Sequence, residues 1–217
     1  MRALVIADQE TDILWGRFDK ARFSNVDIVI ACGDLKPAYL TFLVTMLPVP
    51  VLYVYGNHDR RYAPEDYQGC TCIDGSVFTY RGIRFMGLGG VCSAAPKPHH
   101  YSEAQMRRRI RRLMPKVAYS GGFDVLVTHS APQDVGDGEG YHKGFACFRE
   151  LMDVFKPAYC FHGHQHLNYA PMSIRCRQYG STQVVNGFGW TVVELPEHPA
   201  PRLTAKAFLN RWKDAKA

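Results

Sequence analysis

Five short polar segments of the sequence carry side chains that can bind divalent metal ions. They are Asp8, Gly33-Asp34, Gly56-Asn57-His58-Asp59, His129 and Gly163-His164-Gln165-His166. Each segment comes directly after an apolar run that predicts a buried strand. Taken singly, each is also explained as a helix cap, a turn residue or a hydrogen-bonded loop histidine. Five strand ends that each supply a metal-competent group favour a shared metal site.

The chemistry of these groups indicates which ions would bind and what they would do. Carboxylate, amide and imidazole ligands suit Mn²⁺, Fe²⁺ or Zn²⁺. With Glu10 included there are seven candidate ligands: Asp8, Glu10, Asp34, Asn57, His129, His164 and His166. Seven ligands exceed the needs of one tetrahedral ion and suit two ions about 3.5–4 Å apart. Because two-metal sites activate water and hold phosphate oxygens, the set predicts phosphoryl chemistry without a protein nucleophile.

The elements that must position these residues alternate between strands and helices. Strands are predicted at 3–7, 26–31, 51–55, 83–88, 125–128 and 159–162, and helices at 35–47, 102 to about 116, and 145–155. After His166, strand-like pieces at 172–174, 183–185 and 190–195 suggest a second, mixed sheet, and the tail 202–217 has weak helical character. We expect one α/β domain over 1–217, with the site at the carboxyl ends of its strands.

The order and spacing of these motifs resemble the calcineurin-like metallophosphoesterase family, whose pattern is D-x-H, G-D, G-N-H-[DE], a later histidine and G-H-x-H. The resemblance covers the chain from Asp8 to about Asn168. It implies a four-layer α/β/β/α sandwich of two mixed β-sheets flanked by helices. It also implies hydrolysis of a phosphomonoester or phosphodiester by metal-bound hydroxide.

The resemblance further implies a role for each motif residue. One metal would be held by Asp8 and His166, the other by Asn57, His129 and His164, with Asp34 bridging the two. His58 would be the acid that protonates the leaving oxygen, with Asp59 orienting its imidazole. Simple substrate binding is the alternative role for His58.

The first motif departs from the family pattern, because Asp8-Gln9-Glu10 places a glutamate where the histidine is expected. A glutamate ligand would make this site harder and more anionic, which favours Mn²⁺ or Mg²⁺ over Fe²⁺ or Zn²⁺. The alternative is that Glu10 points into the substrate cleft or binds through water. The same D-x-E form is a recurring subclass among uncharacterised bacterial members of the family. We therefore expect two divalent ions, with Mn²⁺ first among the candidates.

Two long loops, at 96–101 and 133–142, are candidate specificity elements. Among their residues His142 is the candidate for a phosphate contact when it is protonated.

Composition bounds the remaining possibilities. The chain has 217 residues, 47% of them hydrophobic, and a formal net charge of +6. The seven cysteines are scattered, and we find no export signal and no apolar run of about 20 residues. These features predict a cytoplasmic protein and no membrane partner. The sequence does not specify the substrate or the oligomeric state.

Two other functions stay open. A non-catalytic scaffold for protein binding, as in the retromer subunit of this fold, would fit the altered first motif. A nuclease would use the arginine-rich helix to contact a nucleic-acid backbone, although a solvated helix face explains these arginines better. A small phosphoester is the favoured substrate.

Overall fold

The computed structural model describes residues 1–168, 174–196, 201, 203, 204, 207, 208 and 210. The strands of this part are β1 (Arg2–Ala7), β2 (Ile28–Ala31), β3 (Val51–Tyr53), β4 (Thr71–Cys72), β5 (Ser76–Tyr80), β6 (Ile83–Leu88), β7 (Val91–Cys92), β8 (His100–Tyr101), β9 (Val125–Thr128), β10 (Tyr159–His162), β11 (Cys176–Tyr179), β12 (Thr182–Asn186) and β13 (Gly189–Glu194). The α-helices are α1 (Pro37–Met46), α2 (Glu103–Ser120) and α3 (Ala146–Phe155). Residues 172 and 173 of the strand predicted at 172–174, and most of the predicted helical tail, lie outside the described residues, and residue 174 is in no strand.

The strands form two mixed sheets and a small parallel ribbon of β7 and β8. The first sheet has the order β13-β1-β2-β3-β4, in which β13 alone is antiparallel to its neighbour. The second has the order β11-β12-β10-β9-β6-β5, in which the outer strands β11 and β5 are antiparallel to theirs. The expectation that the strands after His166 form the second sheet is wrong for β13, which pairs along the whole of β1 from Arg2↔Glu194 to Ala7↔Gly189.

The alternation of side chains along the strands builds four layers. Val5 of β1 faces the core between the sheets, which also contains Phe85 of β6. Leu4 of the same strand faces the opposite way and packs in the cluster that contains Leu43 of α1. On the far side of the second sheet, α2 and α3 cover a third cluster. The α/β/β/α sandwich predicted from the resemblance is therefore confirmed.

Helix α2 begins with a capping box of Ser102 and Gln105 and continues past Pro115 to Ser120, about one turn beyond the predicted end near residue 116. Ser102 Oγ accepts from the Gln105 amide, and Gln105 Oε1 accepts from the Ser102 amide. Two arginines of this helix are held by acidic partners on other elements: Arg107 pairs with Glu150, and Arg109 with Asp74. These ion pairs give part of the arginine cluster a structural role. No helix in the described residues is long and apolar enough to cross a membrane.

Candidate metal centre

The loops after β2 and β3 touch because two glycines leave room for them. Gly33 has a φ of +92°, and a Cβ there would lie 2.5 Å from the Gly56 nitrogen. A Cβ on Gly56 would lie 2.1 Å from Oδ1 of Asp34. Since real Cβ atoms do not approach so closely, both positions require glycine. The contact brings the Asp34 carboxylate against the loop that carries Asn57.

Three side chains from different strand ends converge at this point. Within the described chain, one set of three or more His, Cys, Asp or Glu side chains has ligand atoms that all lie within 4.8 Å of one another, namely Asp34, His129 and His164. Nε2 of His129 is 3.3 Å from Oδ2 of Asp34 and 3.2 Å from Oδ1 of Asn57. The four predicted ligands of the second metal, including the bridging carboxylate, are thus brought together.

Both histidines are oriented by backbone carbonyls. Nδ1 of His129 lies 2.7 Å from the Cys32 carbonyl, and Nε2 of His164 lies 2.9 Å from the Tyr141 carbonyl. A carbonyl only accepts, so these nitrogens carry the protons and the other ring nitrogens, Nε2 of His129 and Nδ1 of His164, are left for a metal. Metal-binding histidines are held in this way in proteins. The donor set therefore fits a divalent ion.

Asp8 and His166, the predicted ligands of the first metal, lie beside this cluster. The Asp8 side chain is buried, and its oxygens accept from the His164 amide at 2.9 and 3.1 Å. Its Oδ1 is 3.8 Å from Nε2 of His166, whose ring packs on Phe188. The two predicted ligands of the first metal are therefore close to each other, although among the described residues they do not form with Asp34 a set as compact as that of Asp34, His129 and His164.

Glu10 lies on the wall of the same cleft but has a different partner. The cleft has a volume of about 380 Å³ and is lined by Asp8, Gln9, Glu10, Asp34, Leu35, Lys36, His58, Asp59, Arg61 and Tyr62. Both carboxylate oxygens of Glu10 are 3.4 Å from Nζ of Lys36. That separation exceeds the 2.7–2.9 Å that is typical of a close charge-assisted hydrogen bond.

Electrostatics couple His129 to Asp34. Burial disfavours the charged form of each, but their mutual attraction outweighs it, so the pKa of His129 rises to about 10 and that of Asp34 falls to about 2. By contrast, burial and the charge of His129 lower the pKa of His164 to about 4. Without a metal ion, the cluster therefore holds a proton on His129 that a metal must displace.

The sequence from residue 2 to residue 168 matches the family model described as calcineurin-like phosphoesterase. The chain belongs to this family. The family is metal-dependent, so this protein is a metal-dependent phosphoesterase that hydrolyses phosphoesters. No curated protein is significantly similar to it in sequence.

Solved structures agree with the fold. The structure of TT1561 of Thermus thermophilus is similar to this chain, with 16% sequence identity and a TM-score of 0.61. The match covers 86% of this chain and 88% of TT1561. GAP50, the anchor in the inner membrane complex of Plasmodium, is 13% identical, with a TM-score of 0.56 and coverage of 86% and 70%. At such low identity these likenesses concern the fold alone.

The G-N-H-D segment of the phosphoesterase differs in one respect from the prediction. The His58 side chain is 81% exposed at the cleft, and its Nε2 lies 3.9 Å from Oδ2 of Asp34. Asp59, expected to orient that imidazole, turns the other way: its Oδ2 accepts from the amides of Gly56 at 2.7 Å and Asp34 at 2.9 Å. In this structure Asp59 therefore supports the loop by serving as the acceptor for these two amides, and orientation of the His58 imidazole stays a prediction.

His142 lies beside the centre of the phosphoesterase. Its Nδ1 is 3.1 Å from the His164 carbonyl, and the two imidazole rings are 4.9 Å apart. Its neighbour Tyr141 supplies the carbonyl that orients His164. The loop at 133–142 thus holds His164, a candidate metal ligand, in place.

Several functional groups were missed by the sequence reasoning. The carbonyls of Cys32 and Tyr141 have no signature in the sequence, because every residue has a carbonyl. Lys36, which faces Glu10, could have been suspected as the first charged residue after Gly33-Asp34. His162 is a further buried imidazole under the site, and burial lowers its pKa to about 4.

Proposed function

We propose that this phosphoesterase hydrolyses a small phosphomonoester or phosphodiester at a centre of two divalent ions. The proposed ligands are Asp8, Glu10, Asp34, Asn57, His129, His164 and His166. The observation that carries the proposal is the pair of imidazoles around the Asp34 carboxylate, each held through one ring nitrogen by a backbone carbonyl. When bound, the ions activate water and neutralise charge on the phosphate.

His58 is the proposed acid for the leaving oxygen. Its side chain is largely exposed at the cleft, so the imidazole can reach an ester oxygen. Its backbone is fixed, because the His58 amide donates to Oδ1 of Asp34 at 2.7 Å. Asp34 thus couples the position of the acid to the position of the ions, and His142 is the proposed additional phosphate contact.

Glu10 is the proposed extra ligand of the first ion. It shares the cleft wall with Asp8 and Asp34, and its contact with Lys36 is long enough for an ion to compete with it. An additional carboxylate favours a hard ion, and Mn²⁺ is therefore the proposed metal. All seven cysteines are free thiols, which supports a reducing, cytoplasmic location as part of the proposal.

The test is hydrolysis of bis-p-nitrophenyl phosphate and p-nitrophenyl phosphate by protein loaded with Mn²⁺. We expect turnover of at least one ester, and His58→Ala should lower kcat by about 10²–10⁴-fold while leaving bound Mn²⁺ unchanged. Arg60→Ala is the matched control, since Arg60 is an exposed neighbour that does not line the cleft. Absence of turnover with any divalent ion in folded protein would favour the scaffold function. Equal kcat for His58→Ala and wild type would exclude the acid role.

A further inference from the structure

A groove continues from the metal cleft along helix α1. It has a volume of about 700 Å³ and is lined by Lys36, Pro37, Ala38, Thr41, Phe42, Thr45, Tyr62, Asp66 and Gln68. Lys36 and Tyr62 line both this groove and the cleft that contains Asp8 and Asp34. The two spaces therefore adjoin each other at Lys36 and Tyr62, and their sizes are those of small-molecule sites.

One face of α1 forms the floor of the groove. Ala38, Thr41, Phe42 and Thr45 recur at the i, i+3, i+4, i+7 spacing of a single helix face. The opposite face, with Tyr39, Leu40 and Leu43, is buried in the core. The helix thus buries one apolar face and leaves a second, partly apolar face open toward the cleft.

The aromatic wall of the groove is held rigidly. The Phe42 ring packs on Trp15 at 5.3 Å and on Phe18 at 5.6 Å between centroids. Tyr62, at the junction with the cleft, packs edge-on against Tyr67 at 6.2 Å. Rings fixed in this way bind an aromatic ligand with little loss of side-chain entropy.

The cleft and the groove differ in the charge of the side chains that line them. The cleft is lined by three of the proposed metal ligands, Asp8, Glu10 and Asp34, and by the cationic side chains of Lys36 and Arg61. Past Lys36 and Tyr62, the only charged side chain that lines the groove within the described residues is Asp66, whose carboxylate already accepts from the Ala63 amide at 2.8 Å. A ligand that is anionic at one end and apolar at the other matches this arrangement.

We infer that the groove is the subsite for the organic group of the substrate, and that this group carries an aromatic ring. The phosphate lies at the metal cleft, Lys36 and Arg61 lie beside it, and the ring lies between α1 and Tyr62. This inference rests on the proposed function, because it places the phosphate at the metal centre.

Binding of unreactive phosphonates tests the inference separately from turnover. Dissociation constants are measured by calorimetry for Mn²⁺-loaded protein with methylphosphonate and with phenylalkylphosphonates that have one to four methylenes between phosphorus and ring. We expect the best phenylalkyl compound to bind about tenfold more tightly than methylphosphonate, as burial of a ring predicts.

Two variants locate the gain in affinity. Ala38→Trp places a bulky side chain in the groove at the second position of α1, and Ala104→Trp places the same side chain on the exposed second position of α2. We compare the dissociation constant of methylphosphonate with that of the best phenylalkylphosphonate. Ala38→Trp should bring the ratio of these two constants close to one, whereas Ala104→Trp should keep the wild-type ratio.

The outcomes separate the inference from the proposed function. Equal binding of all phosphonates by wild type, or an unchanged ratio in Ala38→Trp, would overturn the subsite. A change of oligomeric state in Ala38→Trp with an unchanged ratio would show a protein interface instead. Ring-dependent binding without turnover of any ester would support the subsite and refute the proposed hydrolysis. Failure of every phosphonate to bind Mn²⁺-loaded protein would overturn the inference.

Discussion

Replacement of Asp59 tests the unexpected role that the structure gives this residue. Its Oδ2 accepts from two backbone amides, at 2.7 Å from Gly56 and 2.9 Å from Asp34. Asp59→Ala leaves without this acceptor one buried amide, that of Gly56, and one part-buried amide, that of Asp34. At about 1–3 kcal/mol for each unsatisfied group, we expect the two together to lower the free energy of unfolding by about 2–6 kcal/mol.

Asp59→Asn is the matched control, since its amide oxygen can take the place of Oδ2 and keep both hydrogen bonds. Burial raises the pKa of Asp59 to about 6, so the charged form is disfavoured in the folded protein. The stability that a raised carboxyl pKa provides is present at low pH and is lost as pH rises through about 6. We therefore expect Asp59→Asn to lower the free energy of unfolding by about 1 kcal/mol or less at pH 7. As pH rises from 4 to 6, the wild type should lose stability relative to this variant.

The assay is urea unfolding in chelator, so that metal binding does not contribute to the stability. An Asp59→Ala protein destabilised by less than about 1 kcal/mol would refute the loop-support role, since two unsatisfied amides must cost more than that. An Asp59→Asn protein as unstable as Asp59→Ala would also contradict it. Normal stability of both variants with strongly lowered kcat would instead support orientation of the His58 imidazole.

Three further predictions follow from the site and the core. Because His129 must lose a proton to bind metal, Mn²⁺ affinity should rise with pH by up to about tenfold per unit below the His129 pKa of about 10, and calorimetry in buffers of different ionisation enthalpy should detect proton release. Metal analysis should find fewer than two Mn²⁺ ions per chain in Glu10→Ala. Glu10→His should bind two ions, with its metal preference shifted toward Zn²⁺. Unchanged metal stoichiometry and metal preference in both variants would show that Glu10 is no ligand. Arg84→Met should destabilise the fold by about 3–5 kcal/mol, because it leaves the buried Asp124 carboxylate without its bidentate partner, and a loss of under 1 kcal/mol in urea unfolding would contradict this.

The convergence of the candidate ligands could be predicted from the sequence, because each one follows a strand and parallel strands end at a common edge. Asp34 and Asn57 come together for that reason, since β2 and β3 are parallel neighbours in the first sheet. His129 follows β9 of the second sheet, and it meets them because the two sheets pack against each other. The glycines of the motifs also have a physical cause in the close approach of Gly33 and Gly56. Local patterns therefore carry much of the information about the second metal site.

Other features depend on three-dimensional contacts that no local pattern contains. The carbonyls that orient His129 and His164 come from Cys32 and Tyr141, which are distant in the sequence and ordinary in type. The direction of the Asp59 side chain depends on which buried amides lack an acceptor. The pairing of β13 with β1 is likewise set by long-range packing, since its strand pattern fits either sheet.

Anomalous diffraction from crystals soaked in Mn²⁺ tests the dinuclear centre most directly. We predict two peaks about 3.5–4 Å apart on either side of the Asp34 carboxylate. One should lie next to Nε2 of His129 and Nδ1 of His164, and the other next to Asp8 and His166. The absence of a peak at the Asp34, His129 and His164 cluster, with the metal bound elsewhere or not at all, would contradict this prediction.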